Sequence, residues 1–307
     1  MSKKLSFLIV GCGRIAKIHA RVLKENLMQE EVFCIDINNE VQQDFIKKYN
    51  FKPFDPNRKY EALLICTPTD QHLKTLKDYK DYANYFFIEK PLVNSTNELE
   101  EMISLVNPDK LYCGLIELHN EIFIKLKSLI GKEKIISIQI LRHSPEILSE
   151  RVTSHAHMDL AIHDLSVLLK YFFKNNLIDK FEIIKNFKNS DFYETAEIII
   201  KNKSINANIS VSRKTNKKIR TWRVVTSQKT YEVDLIANTI KIYDSIDPLK
   251  VDSERFTQRL RETLNTYSLA EPAERQMVYF MDKLEQNKID NEMINIVKTS
   301  HLLLLNN

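Results

Sequence analysis

The sequence predicts an α/β protein: a doubly wound parallel sheet first, then a second α+β domain built on a large, mostly antiparallel open sheet. Three observations predict it. Short apolar runs alternate with helical patterns over the first third of the chain. Strand-like runs separated by turn clusters fill much of the second half. Only 4 of the 307 residues are glycine, and two of them, Gly11 and Gly13, follow the first apolar run. A chain this short of glycine should use it only where backbone sterics demand it.

The elements follow in order. Residues 5–10, 32–35, 62–66, 85–88 and 111–113 are apolar strand candidates. Between them Ile15, Ile18, Val22 and Leu23 recur at helical spacing, as do Leu73, Leu76 and Tyr79, and then Leu99, Met102, Ile103 and Val106. Strand–helix alternation implies βαβ units and a parallel sheet. Near residue 118 the pattern changes. Residues 122–130 read as a helix ending at Gly131, 135–141 alternate as a strand, and 158–173 form a long helical pattern. Strand-like runs at 181–187, 195–200, 205–211, 219–225, 230–235 and 239–243 come next, with hairpin spacing. Helical patterns at 272–286 and 292–305 close the chain. The predicted domains are therefore 1–118 and 119–307, with the C-terminal helices free to pack back on the first.

Composition narrows the function classes. The chain is 43% hydrophobic and 28% charged, with a formal net charge of +4, the balance of a globular protein. No apolar run approaches the ~18 residues that span a bilayer. The basic start and apolar run at residues 5–10 break at Gly11 with no small-residue cleavage site, which reads as a first strand and not a secretion signal. Charges of both signs alternate along the chain, so neither nucleic acid nor membrane is an expected partner. The local basic run Arg213-Lys214, Lys217-Lys218 and Arg220 reads as a solvated hairpin tip. Cys12, Cys34, Cys66 and Cys113 form no C-x-x-C pair and fit buried, reduced thiols of a cytoplasmic protein.

Four segments carry chemistry. Gly11-Cys12-Gly13-Arg14-Ile15-Ala16 joins a predicted strand to a predicted helix. The first glycine permits the tight turn, the second lets a pyrophosphate approach the backbone, and the small Ala16 allows close helix–strand packing. The helix start at Arg14 and Ile15 then faces the phosphates. Asp36 follows the next strand, where a carboxylate accepts hydrogen bonds from ribose hydroxyls and repels a 2′-phosphate. No arginine follows it closely, so NAD is favoured over NADP. The second segment holds Thr67, Pro68 and His72, beyond a strand's carboxyl end, where ligands of open α/β sheets bind. The third is Glu89-Lys90-Pro91, which aims a lysine from the next strand toward the same crevice. The fourth sets Asp159 and His163 four residues apart on one helix face among apolar neighbours, a setting suited to proton transfer in alcohol oxidation.

In this order and spacing, these segments resemble the glucose–fructose oxidoreductase / inositol dehydrogenase (Gfo/Idh/MocA) family. The resemblance implies an N-terminal Rossmann domain and a C-terminal domain with a large open sheet. It also implies NAD(P)-dependent redox chemistry on sugars or cyclitols, with Lys90, Asp159 and His163 at the reacting carbon. Cofactor contacts then fall to Gly11, Gly13, Arg14, Ile15, Asp36, Thr67, Pro68, His72, Glu89 and Lys90. Gly114-Leu115-Ile116-Glu117-Leu118-His119-Asn120 is similar to a segment of the branch acting on UDP-N-acetylglucosamine-like nucleotide sugars. So are Arg151-Val152 ahead of Asp159, and Glu271-Pro272. Glu121 stands where that branch usually has proline, and Ala161 where glycine is frequent in D-x-G-x-H. Expected substrate contacts are Glu117, Asn120, Arg142 and Arg151, with Arg213 a further candidate for a diphosphate.

The resulting expectation is a cytoplasmic NAD-dependent dehydrogenase of a nucleotide-activated, UDP-N-acetylglucosamine-like sugar. His163 takes the hydroxyl proton, Asp159 orients it, and Lys90 meets the same oxygen. The outer sheet face is the expected surface of a homodimer or homotetramer. Alternatives are a free-sugar or cyclitol dehydrogenase, or a non-catalytic NAD-binding sensor on the same fold. A metal-dependent hydrolase using His155, His157 and Asp159 is least favoured, because Leu160 stands where its signature needs histidine; no metal is expected.

Overall fold

The apolar runs of the first third pair into one six-stranded parallel sheet. The computed structural model describes residues 5–26, 31–145, 152–173, 178–189, 191–202, 205–244, 260–266, 271–287 and 289–307. The strands are β1 (Ser6–Val10), β2 (Glu31–Ile35), β3 (Lys52–Pro53), β4 (Tyr60–Ile65), β5 (Ala83–Ile88) and β6 (Leu111–Cys113). Their order across the sheet is β3-β2-β1-β4-β5-β6, and every pairing is parallel. All six residues of β4 are buried, which is why these strands read as continuous apolar runs and not as alternation. The edge strand β3 is two exposed residues ending in proline, too short and too polar to register as a strand in the sequence.

The helices between these strands start and stop on side-chain chemistry. Helix α1 (Arg14–Asn26) opens directly from the Gly11–Gly13 turn with no acidic residue in its first turn. Helix α2 (Asn39–Tyr49) is capped by the Asn38 side chain, which accepts from the Glu40 and Val41 amides, and ends on Asn50 at φ 59°. Asn238 and Asn287 also take left-handed backbone. Asparagine tolerates this region best after glycine, so it substitutes in a glycine-poor chain. Helices α3 (His72–Tyr79) and α4 (Thr96–Leu105) follow, the latter capped by Ser95. The chain divides into two compact units, and the first, Met1–His119, also takes Ala270–Asn306. It thus includes α7 (Pro272–Glu285) and α8 (Asn291–Leu305). Within this unit Phe280 of α7 packs against Phe87 and Tyr112 with ring centroids 5.3 Å apart in each case.

The second unit, Asn120–Leu269 with Asn307, is organised by an eight-stranded sheet. Its strands are β7 (Ile135–His143), β8 (Lys180–Asn189), β9 (Phe192–Asn202), β10 (Ile205–Ser212), β11 (Ile219–Thr226), β12 (Lys229–Asp234), β13 (Thr239–Asp244) and β14 (Leu260–Asn265). The order is β14-β13-β12-β11-β7-β10-β9-β8. All pairings are antiparallel except β7 with β10. That exception corrects the hairpin-tip reading of the basic run. β10 and β11 flank β7 on opposite sides, so residues 213–218 cross over the end of β7, and Arg213 is buried. Helix α5 (Glu121–Ile130) precedes β7. The long helical pattern is α6 (Ile162–Val167) between two π-helical turns, His157–Ala161 and Leu168–Phe172. Such wide turns inside helices are frequent at functional sites.

The core of this unit is largely apolar and holds an ionic cluster centred on Arg142. Ile138, Ile140 and Arg142 share an inward parity on β7 and are each 1% exposed. Arg142 meets Asp164 through Nε at 2.5 Å and Nη2 at 3.0 Å. The single tryptophan, Trp222, donates Nε1–H to the same carboxylate at 2.9 Å and packs on Phe123. Removing one member of a buried pair strands the other charge, at about 3–5 kcal/mol. Asp164→Ala should therefore lower the unfolding free energy by about that much in a urea melt. Combining it with Arg142→Met should recover most of the loss; a single variant as stable as the parent contradicts the assignment.

Candidate functional site

In the first unit the site is built around the Gly11–Gly13 turn. Gly11 adopts φ +90°, and a Cβ there would stand 3.0 Å from the Cys66 carbonyl carbon and oxygen and the Thr67 nitrogen. Both the dihedral and the space exclude a side chain. Hydrogen bonds weave the turn into the sheet: the Gly11 amide donates to Ile35 O and the Cys66 amide to Val10 O, each at 2.9 Å. At Gly13 the surroundings are the reverse, with nothing within 4 Å of a Cβ. The turn is thus packed on its inner side and open on its outer side. Arg14 is exposed and Ile15 half-buried beside this opening.

Asp36 lies beside the same turn. Its Oδ2 accepts from the Cys12 amide at 2.7 Å and its Oδ1 from the Asn38 amide at 2.9 Å. The carboxylate is held by two backbone donors and remains half-buried. Ile37 next to it is fully exposed. Beneath the turn, Cys12 is buried. A hydrogen bond with Cys34, then burial, then the nearby Asp36 push its thiol far above the usual range, which makes it a poor nucleophile.

His72 and Glu89 are both buried. His72 is 1% exposed, with Nδ1 3.1 Å from Leu92 O and Nε2 2.9 Å from Thr67 O. It therefore ties the loop at Thr67-Pro68 to the loop that follows Lys90. Burial lowers its pKa despite those carbonyls. Glu89 is buried against His19 of α1, Oε1 to Nε2 2.5 Å. Lys90 is half-buried and joined to Pro91 by a cis peptide bond. His301 of α8 secures the same loop, its Nε2 accepting from the Leu92 amide at 2.9 Å while Nδ1–H donates to Val297 O at 2.7 Å. Burial lowers the His301 pKa to about 4, so the ring stays neutral as this pattern requires. His19 and His301 were not among the expected site residues. His19 lies eight residues beyond Gly11 on the fingerprint helix, which was its only signal; His301 carried none.

Glu117 is buried in a short 3-10 turn, Ile116–His119. His119 in that turn pairs with the Tyr112 hydroxyl at 2.6 Å. Glu271 opens α7 ahead of Pro272 and binds Arg21 of α1 at 2.5 Å on the surface.

In the second unit His163 is buried on α6. Asp159 sits on the preceding π turn and accepts from Arg213 Nη2 at 3.0 Å. Arg213 also donates both terminal nitrogens to Ser154 O, at 3.0 and 3.1 Å, and lies 3.5 Å from Glu194. Buried and so engaged, it anchors the helix start instead of meeting a substrate diphosphate. Arg142 is likewise committed to Asp164, which corrects its expected substrate contact. Asn120 serves as the cap of α5, its side chain accepting from the Ile122 amide at 3.2 Å. Arg151 lies outside the described residues. His155 and His157 stack with ring centroids 5.1 Å apart. The Tyr193 amide donates to His155 Nδ1 at 3.0 Å, and burial lowers the His157 pKa to about 3. Among the described residues no three His, Cys, Asp or Glu side chains are arranged to hold a metal, and no helix is long and apolar enough to cross a membrane.

Comparison with known proteins agrees with this geometry. Residues 5–115 match the model of GFO_IDH_MocA, an oxidoreductase family with an NAD-binding Rossmann fold. The uncharacterized oxidoreductase YrbE of Bacillus subtilis is 24% identical over 186 residues, 54% of this chain and 53% of that protein. Myo-inositol 2-dehydrogenase of Thermotoga maritima is 26% identical over 180 residues, 52% of each chain. The chain thus aligns with about half the length of these curated relatives. Across nearly the whole chain the fold is shared with UDP-N-acetylglucosamine 3-dehydrogenase GnnA of Acidithiobacillus ferrooxidans, at TM-score 0.78 and 18% identity, covering 98% of this chain and 97% of that one. Residues 5–115, which contain the turn at Gly11–Gly13, are thus similar to the NAD-binding Rossmann domain of the GFO_IDH_MocA oxidoreductase family.

Proposed function

We propose that the protein is an NAD-dependent oxidoreductase that transfers a hydride between nicotinamide and a secondary alcohol of a sugar. The proposed substrate is a nucleotide-activated sugar of the UDP-N-acetylglucosamine type. The observation that carries this reading is the turn at residues 11–16. It is closed to side chains on its sheet side at Gly11, open at Gly13, and followed by a helix with no acidic residue in its first turn. A helix N-terminus of this kind attracts the phosphates of a dinucleotide. Asp36 would take the adenosine ribose hydroxyls and disfavour a 2′-phosphate. Thr67 and Pro68 line the neighbouring strand end. When bound, the nicotinamide accepts or returns the hydride.

The chain's own residues then manage the proton and the charge. His163 accepts the hydroxyl proton, and Lys90 stabilises the negative charge that develops on the oxygen. Asp159 orients His163 and is itself held by Arg213. The nucleotide-sugar assignment is supported by the segment 114–120 and by Glu271-Pro272; Glu117 is the sugar-facing candidate within it. The second unit also offers an open sheet face with a groove of about 820 Å³ between side chains such as Gln139, Leu141, Thr221, Arg223, Glu232 and Lys241. Mixed charge with exposed Leu141 and Ile136 suits self-association into a homodimer or homotetramer. Light scattering should return two or four times 36.1 kDa, and a monomer at micromolar concentration contradicts it.

The function is tested by following NADH formation with a panel of UDP-sugars, free sugars and myo-inositol. The expected result is turnover with a UDP-linked amino sugar, reduced about 10²–10⁴-fold in His163→Ala with NADH affinity unchanged. Turnover with free cyclitols alone overturns the substrate, and undiminished turnover in His163→Ala overturns the proton role. NADH binding with no turnover on any member of the panel would favour a sensor.

A further inference from the structure

We infer that His19 and Gly114 are positioning residues for Lys90, acting through the buried carboxylate of Glu89. The inference rests on the reading that Lys90 serves the reaction. Both oxygens of Glu89 are engaged from different parts of the first unit. Oε1 meets His19 Nε2 at 2.5 Å, and Oε2 accepts from the Lys90 amide at 3.2 Å. The Glu89 side chain is 9% exposed and that of His19 2%. The carboxylate therefore links the fingerprint helix to the peptide from which the Lys90 side chain departs.

The His19 ring is held by its surroundings. Its Nδ1 is buried and makes no hydrogen bond, so its polar contact is through Nε2, which faces Glu89 Oε1. Phe87 holds the ring edge-on at 5.0 Å.

Gly114 supplies the room. A Cβ at this position would lie 2.9 Å from Glu89 Oε2 and 3.0 Å from Cδ and Oε1. Its backbone is fixed, the amide donating to Ile88 O at 2.8 Å. Since Gly114 has no positive φ, conformational freedom does not explain the glycine; the carboxylate occupies the space a side chain would need. Gly114→Ala therefore displaces the Glu89 carboxylate while leaving Glu89, His19 and Lys90 in the chain. Supporting groups of this kind hold functional side chains within about 0.5 Å of their working position.

The test reads Lys90 directly and needs no substrate. The full chain is reductively methylated with 13C-formaldehyde, and the dimethylamine NMR signal missing from Lys90→Arg is assigned to Lys90. Gly114→Ala and His19→Leu should move or broaden that signal, with Gly114→Ala melting within a few degrees of the parent. His19→Gln, whose amide can donate from near the Nε2 position, should restore it. With a turned-over sugar, Gly114→Ala should lose about tenfold in kcat with the sugar KM within about twofold. A Lys90 signal unchanged in Gly114→Ala overturns the inference, even if His19→Leu fails to fold. Because the signal is read without turnover, absence of dehydrogenase activity would count against the proposed function and leave this result standing.

Discussion

No side chain fits at position 11, and the cofactor half of the protein is organised by that exclusion. The β1–α1 turn lies so close to the end of β4 that a methyl group at Gly11 would meet the Cys66–Thr67 peptide at 3.0 Å. Close backbone contact brings β1, β4 and the start of α1 together at the carboxyl end of the parallel sheet. It aims the helix start outward at Gly13 and places the Cys12 amide within 2.7 Å of the Asp36 carboxylate. The turn's shape, the place of the helix start and the approach of Asp36 thus meet at one packing constraint. Glycine scarcity makes it legible, because this chain uses so few that each needs a reason.

Around that turn the protein buries polar groups and holds several of them in pairs. His72 and His301 anchor the loop after Lys90 through backbone partners on either side, and Glu89 bridges His19 and the Lys90 amide. The second unit repeats the principle with different residues: Asp164 holds Arg142 and Trp222, and Arg213 holds Asp159 and the Ser154 carbonyl. Buried ionic groups are costly when left alone and specific when paired. In both units they therefore fix the segments carrying Lys90, Asp159 and His163 instead of adding greatly to stability.

Much of the first sheet was legible because strands buried on both faces read as unbroken apolar runs, as β4 does. The fingerprint turn was legible through its two glycines. The two-residue β3 had no run to detect, and β14 carries Arg261 and Glu262 in place of an apolar alternation. The parallel β7–β10 pair was hidden because hairpin spacing describes neighbours in sequence, whereas β10 and β11 both use β7 as partner. Arg142 and Arg213 are candidates from the sequence because a guanidinium suits a diphosphate. Parity along β7, with Ile138 and Ile140 inward, already placed Arg142 inside. Nothing local marked Arg213, whose partners lie 19 to 59 residues away. His72 and Glu89 were recognised as motif members, but spacing does not reveal whether a side chain faces the cofactor or supports the loop beneath it.

In the proposed function, the turn at 11–16 and the carboxylate of Asp36 together hold NAD in preference to its 2′-phosphorylated form. Titrating the purified protein with NADH and NADPH, read by the enhancement of nicotinamide fluorescence, tests it most directly. Saturable binding of NADH at least about tenfold tighter than that of NADPH, a difference of about 1.4 kcal/mol, is the expected result. Equal or tighter binding of NADPH, or no saturable binding of either, would contradict it.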